Sequence, residues 1–260
     1  MNIVVCVKQA VDLQQIRIRK ETREPVFENI PLTLGAIDKN ALEEAVRLKD
    51  KTGGKVTAVS VGPETLEETI KEGLAMGADE AVLVTAPDLE GAETAKAALL
   101  LAGAIKQMEG VDLILLGEGS ADNYSGQVTG RVAELLDLPQ ITYVRELQVE
   151  GSRVRATRDL EDALEMVEAD CPVLVSATSE LNTPRLPPLT AILKASKKPI
   201  ATWSPAELGL DVAKIGTAAA MVTQLSNLAP LQERKQVLFS GEPDKAVDEL
   251  VKALQKEGAL

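Results

Sequence analysis

Short, almost wholly apolar runs recur through the first half of the chain, at residues 3–7 (IVVCV), 56–61 (VTAVSV), 81–84 (AVLV) and 113–116 (LILL). A strand that is apolar at successive positions has no face to give to water, so it must be covered on both sides. Helix-length amphipathic stretches separate these runs. Residues 38–51 set Leu42, Ala45, Val46 and Lys49 at i, i+3, i+4 and i+7, with the aliphatic stem of Lys49 at the edge of the stripe. Asp38 stands where an N-cap belongs, and Gly53-Gly54 stand where the helix should stop. Further helices are predicted over 64–76 (closed by Gly77), 92–108 and 127–136 (ended near Pro139). This β-α-β-α alternation predicts an α/β fold with a doubly wound, mostly parallel, Rossmann-like sheet.

Elsewhere the rhythm breaks. Residues 16–19 alternate with period two and are followed by Glu24-Pro25 and Val26-Phe27, which predicts a hairpin excursion. After residue 140, strands are expected over 141–144, 147–150 and 153–158, with a turn at Glu150-Gly151-Ser152, and another over 173–176 after Pro172. Residues 178–240 carry many prolines and no α/β rhythm, whereas 242–257 form an amphipathic helix with Ala246, Leu250, Val251 and Leu254 on one face. The expected organisation is a domain over 1–200 and an arm over 201–260. The arm cannot bury its apolar groups against itself, so it wraps a partner or packs back on the domain. Leu, Ile and Val recur along it, unlike a solvating tail.

Composition removes whole classes of function. A net charge of -12 and 2% aromatic residues repel phosphate backbones and leave no stacking platform, so no nucleic-acid partner is expected. The chain has no histidine, which takes away the commonest general base and metal ligand. Its 2 cysteines, Cys6 and Cys171, form no CxxC pattern, so neither a metal nor a dithiol centre is expected. Any redox chemistry must come from an organic cofactor, and no side chain is assigned a catalytic role. No stretch is apolar enough to cross a bilayer, and the start runs straight into strand pattern without a basic leader; a cytoplasmic protein is expected.

Open parallel sheets bind ligands beyond the carboxyl ends of their strands, near the point where strand order reverses. Lys8-Gln9-Ala10 and Gly62-Pro63 leave such ends, but the informative segment is 117–130, GEGSADNYSGQVTG. It leads from a buried strand into a helix, so the N–H groups of Gln127, Val128 and Thr129 should be unpaired and aimed at an anion. Gly126 permits close approach, the Gln127 amide and Thr129 hydroxyl add donors, and Asp122 suits a ribose hydroxyl or a turn. The segment is neither a Walker A loop nor GxGxxG. From spacing alone, nucleotide binding and a plain turn with a cap both stay open.

Several stretches in order resemble the electron transfer flavoprotein beta-subunit family over essentially the whole chain. They are residues 4–8 (VVCVK), 40–49 (NALEEAVRLK), 58–63 (AVSVGP), 75–79 (AMGAD), the 117–130 loop, 158–176 with Glu161 and Glu165 before Pro172, and 181–185 (LNTPR). The resemblance implies an AMP or FAD in this chain, contacted at Cys6, Gly35, Ala36, Asp38, Val61, Asp122, Asn123, Gly126, Gln127, Val128 and Thr129. Cys6 and Val61 equally suit ordinary strand packing, and Asp38 a helix cap. AMP-holding members read Asn-Gln-Thr-Gly where this chain has Gly126-Gln127-Val128-Thr129. The pattern here is closer to members that hold FAD and bifurcate electrons, as is Asp38-Lys39-Asn40, so FAD is favoured over AMP. Asn123-Tyr124-Ser125 and Thr129 depart from both patterns. Tyr124 is either a stacking partner for adenine or isoalloxazine, or a loop residue.

The resemblance also implies a recognition loop over 183–198, with Leu189 anchoring in a dehydrogenase and Lys194 and Lys197 as a basic rim. The implied function is one half of a heterodimer whose alpha subunit holds a further FAD. Electrons would come from NADH or a dehydrogenase, and any NADH oxidation would belong to the heterodimer. The alternatives are a simple carrier with structural AMP and a stand-alone adenine-nucleotide-binding protein.

Overall fold

Strand β1 (Asn2–Cys6) is apolar on both faces because two separate cores meet on it. Ile3 and Val5 point into one, Val4 and Cys6 into the other. The computed structural model describes residues 1–85, 94–211, 225–231 and 235–260. The first two residues of the helix expected over 92–108, and residues 212–224 and 232–234 of the expected arm, lie outside them.

After β1 the chain makes two short pairings, β2 (Gln9–Val11) with β5 (Leu32–Leu34) and β3 (Arg17–Ile18) with β4 (Pro25–Val26). Then follow α1 (Ala36–Thr52), β6 (Lys55–Gly62), α2 (Leu66–Met76), β7 (Glu80–Thr85), α3 (Thr94–Lys106), β8 (Leu113–Gly117) and α4 (Val128–Leu136). The second half contains β9 (Gln140–Glu150), β10 (Arg153–Asp159), β11 (Leu164–Asp170), β12 (Val173–Ala177), α5 (Leu189–Ala195), β13 (Ile200–Trp203) and α6 (Pro243–Lys256). Among the described residues the central sheet has nine strands in the order β11-β10-β9-β12-β8-β1-β6-β7-β13. It is parallel from β9 to β13, and β9, β10 and β11 form an antiparallel wing. The chain winds outward from β1 through β6 to β7, then returns to place β8 on the other side of β1. The order therefore reverses between β1 and β8, which is where such a sheet opens a crevice.

Helices α1 and α2 cover one face through Leu42, Val46, Ile70 and Leu74, and α3 and α4 cover the other through Leu101, Ile105 and Val132. Each fully buried side chain of this kind contributes roughly 1.5–3 kcal/mol. Helix α2 ends at Gly77, whose φ of 135° suits glycine; a Cβ there would lie 2.8 Å from Val46 Cγ1.

Several expectations need correction. Helix α1 starts at Ala36 with Gly35 as its N-cap and no side-chain cap, so Asp38 does not cap it. The two strands expected over 141–150 are one strand, β9, bent where Tyr143 takes a φ of 58° and its N–H donates to Ser176 Oγ at 3.1 Å. Strand β11 had no apolar signature because cross-strand ion pairs support it: Arg155 with Glu168 at 2.7 Å and Arg158 with Glu165 at 2.5 Å. The proline-rich stretch after residue 178 contains α5 and β13, and Trp203, Leu208 and Leu210 pack on the second core.

The chain forms two compact units. One comprises Met1–Arg17 and Val26–Ser226. The other joins Ile18–Pro25 to Asn227–Leu260. Within it the Ala229 N–H donates to the Arg23 carbonyl at 2.8 Å, and Arg23 Nη1 donates back to the Ala229 carbonyl at 3.3 Å. Helix α6 buries no residue, and Val247, Leu250 and Val251 of its apolar face are exposed. Among the described residues, no helix is long and apolar enough to cross a membrane.

Candidate functional site

A cleft of about 440 Å³ opens at the carboxyl ends of β1, β6 and β8. Clefts that enclose small ligands run from about 300 to 1,000 Å³. Its floor includes Cys6 and Val61, and its far wall is the start of α3, with Ala97 and Leu101. The segment between β8 and α4 forms the near wall through Asp122, Asn123, Gly126, Gln127, Val128 and Thr129. Of the residues that the resemblance implies as nucleotide contacts, Gly35 and Ala36 stand outside the lining.

Asp38 is the hinge pin of this arrangement. Its side chain turns inward from the first turn of α1, where Oδ2 accepts the Lys8 N–H at 2.8 Å and Oδ1 the Gly117 N–H at 3.2 Å. One carboxylate thus ties the loop after β1 to the loop after β8. Space for it is made by glycine on either side: a Cβ on Gly35 would lie 2.6 Å from Oδ2, and one on Gly117 2.6 Å from Oδ1. Burial pushes the Asp38 pKa up to about 7 against the opposing pull of the two N–H donors and the Lys8 charge. Burial likewise pushes the Cys6 thiol far above its ordinary value, so it is an inert packing group.

Lys8 was not read from the sequence as a site residue. Its Nζ donates to both oxygens of Asp122 at 2.7 Å, bridging the cleft mouth. Burial alone would raise the Asp122 pKa, but Lys8 and Ser120 hold it below the usual carboxylate range. A lysine directly following a buried parallel strand was the available signal.

At the start of α4 two of the three amides expected to be unpaired are so. The Gln127 N–H reaches Ser125 Oγ at 3.4 Å, a long contact. The N–H groups of Val128 and Thr129 find no hydrogen-bond partner among the described residues, and neither does the Thr129 hydroxyl, on a residue only 3% exposed. Gly126, with φ of 64°, brings the backbone into the cleft where a side chain would be strained. Two free N–H groups, the Thr129 hydroxyl beside them and a helix N-terminus fit a phosphate. The Gln127 amide oxygen is already engaged by Arg131 at 2.9 Å. Tyr124 does not line the cleft; its hydroxyl donates to Glu118 Oε1 at 2.6 Å, which pushes its pKa up to about 12.

A second hollow, of about 300 Å³, lies at the amino ends of the strands. Lys55 and Glu80 of its lining are matched to each other at 2.6 Å, and the Thr57 hydroxyl donates to Glu80 at 3.0 Å, while Glu109 adds one further carboxylate.

The segment expected to dock is displayed on the surface. Leu186, Leu189, Ile192 and Leu193 are exposed at 93, 70, 50 and 64%. Lys194 lies in the last turn of α5 and Lys197 just beyond, both exposed.

Comparison with known proteins gives the family. The electron transfer flavoprotein domain family matches residues 27–208. The chain is 39% identical to the electron transfer flavoprotein subunit beta of Thermoanaerobacterium thermosaccharolyticum over 261 residues, covering 100% of both chains. It is 36% identical to that of Bacillus subtilis over 261 residues, again 100% of both. Against the caffeyl-CoA reductase-Etf complex subunit CarD of Acetobacterium woodii, identity is 34% over 231 residues, 88% of each chain. With matches of this extent, the chain belongs to the electron transfer flavoprotein family, among its beta subunits.

Proposed function

We propose that the cleft holds the adenylate end of an FAD and that the chain is the beta half of a cytoplasmic αβ electron carrier of the bifurcating type. The observation that carries this reading is the free pair of N–H groups at Val128 and Thr129, with the Thr129 hydroxyl beside them, at the point where strand order reverses. These groups would hold phosphate oxygens. Asp122, kept ionised by Lys8, is an acceptor for ribose hydroxyls. Asp38 braces the two loops from behind. The apolar floor at Cys6 and Val61 excludes water and offers backbone contact.

With FAD bound, the redox chemistry, including acceptance of hydride from NADH and division of the electron pair, is the flavin's. The chain's part is to bind, orient and shield. The Gly126-Gln127-Val128 pattern supports the bifurcating reading, and the match to a subunit of a caffeyl-CoA reductase-Etf complex supports assembly with a redox partner. An alpha subunit carrying a further FAD completes the heterodimer, and the apolar face of α6 is the element offered to it. A dehydrogenase docks on the 183–198 segment through Leu189, with Lys194 and Lys197 at the rim.

A second reading places AMP in the cleft and leaves the chain a simple carrier. The volume favours it, since about 440 Å³ lies toward the lower end of ligand clefts. An AMP is contained there, whereas an FAD must extend beyond. Denaturing the native αβ complex and counting its nucleotides by chromatography separates the readings. Two FAD per heterodimer are expected. One FAD with one AMP supports the second reading, and one FAD with no other adenine nucleotide refutes both.

A further inference from the structure

The exposed docking segment is slung between two anchors. At its carboxyl end Lys198 Nζ donates to the carbonyls of Leu74 at 2.8 Å and Ala78 at 2.5 Å, and Ala195 is buried. These bonds fasten it to the last turn of α2, where a cation is favoured by the helix dipole. At its amino end the fastening comes from α1. Asn40 Nδ2 donates to the carbonyls of Ser179 at 3.2 Å and Asn182 at 2.7 Å. Asn182 Nδ2 donates back to the Asn40 carbonyl and to Glu44 Oε2, both at 3.0 Å.

The strongest element of this clamp is Glu43. Arg185 gives it three donors: its backbone N–H and Nε to Oε2 at 3.0 and 2.8 Å, and Nη2 to Oε1 at 3.2 Å. Arg47 Nε adds a fourth, to Oε1 at 2.9 Å. The carboxylate is 4% exposed, and although burial opposes its charge, these donors hold its pKa below the ordinary value. Helix α1 does not need this group for its own packing, because its apolar stripe already covers the sheet. A carboxylate this buried is destabilising without its partners, so its donors are held to it in one geometry.

We propose that Glu43 is a positioning residue for docking: acting through Arg185, it fixes the path of the chain into α5 and so presents Leu189 in its docking orientation before a partner arrives. This rests on the docking reading above. An anchor held in place spares the encounter the entropy of ordering it. Losing the clamp should therefore weaken association and leave electron transfer within the bound complex unchanged.

The test uses the native αβ complex as wild type, Arg185→Gln, Arg185→Lys, Glu43→Gln and Leu189→Ala. Hydrogen exchange is followed in peptides spanning 186–195, and steady-state electron transfer is measured with a purified dehydrogenase that reduces the native complex as the varied substrate. In Arg185→Gln and Glu43→Gln, exchange should quicken and KM for the dehydrogenase should rise, each about tenfold, with kcat and nucleotide content retained. Arg185→Lys keeps the charge but loses the fork, and should fall between. Unchanged exchange in both variants, or faster exchange with an unchanged KM, overturns the proposal. The docking reading fails on a separate result, a wild-type KM for Leu189→Ala.

Discussion

Replacing Asp38 by asparagine should abolish a specific pH dependence of stability. The native carboxyl titrates near 7, raised from 3.8 chiefly by burial. Between those values the folded protein keeps a proton that the unfolded chain has released. Stability therefore falls as pH rises through this window. The interval corresponds to roughly 4 kcal/mol, fully present below pH 4 and lost above pH 7. Asparagine does not titrate, so the variant lacks this fall. Its carbonyl can accept from only one of the Lys8 and Gly117 amides. The other is left facing an NH₂ group, at about 1–3 kcal/mol at every pH. The two curves should cross: Asp38→Asn is less stable than wild type near pH 4 and more stable by about 1–3 kcal/mol at pH 8. Urea unfolding between pH 4 and 8 measures this, with the single tryptophan, Trp203, as a fluorescent reporter on β13. A wild-type-minus-variant difference that stays flat across that range, or slopes the other way, refutes the account of Asp38.

Other substitutions separate ligand binding from folding. Thr129→Val removes a hydroxyl that no described residue engages, so it should leave stability within about 1 kcal/mol of wild type while weakening FAD or AMP binding about tenfold or more, read by calorimetry. Gly126→Ala meets nothing closer than 3.9 Å but must hold φ at 64°; the strain of about 1–2 kcal/mol should lower Tm by about 2–8 °C in a thermal melt. Lys198→Met strips a donor from two carbonyls at the end of α2 and should cost about 1–3 kcal/mol in urea unfolding, with nucleotide content unchanged.

The parallel half of the fold was legible because its physics is local. A run such as residues 3–7 declares that both faces are covered, whatever covers them. Strand β11 was not, because an edge strand need not be apolar. Leu164 and Met166 are exposed at 61 and 70%, and the strand is held by arginines on β10 that its own sequence does not reveal. The same limit hid α5 and β13, where the prolines of 184–188 obscure a helix of only 7 residues. Asp38 failed more instructively. Capping rules compare a residue with its neighbours within a turn, whereas this carboxylate is bound by amides 30 residues before it and 79 after it. A local pattern can mark such a residue as unusual but cannot say what it holds.

The site was legible where backbone geometry decided it and obscure where side chains did. Any strand-to-helix turn leaves amides free at the helix start, which is why Val128 and Thr129 came out as expected. Whether a nearby hydroxyl reaches one of them depends on a rotamer, and Ser125 reaches Gln127. The feature no motif could announce is the double use of α1. Asp38 braces the cleft, and Glu43, five residues and about 7.5 Å farther along the axis, braces the docking segment. A helix is stiff over so short a distance, so the two grips share one rigid body. A substitution that tilted α1 without touching either carboxylate should therefore disturb both sites together. Gly77 supplies one, because a Cβ there would press on Val46 of α1 at 2.8 Å. In Gly77→Ala, hydrogen exchange should quicken both in the loop over 117–127 and in the segment over 186–195. Exchange that quickens in one of them alone would show that α1 does not move as a single piece.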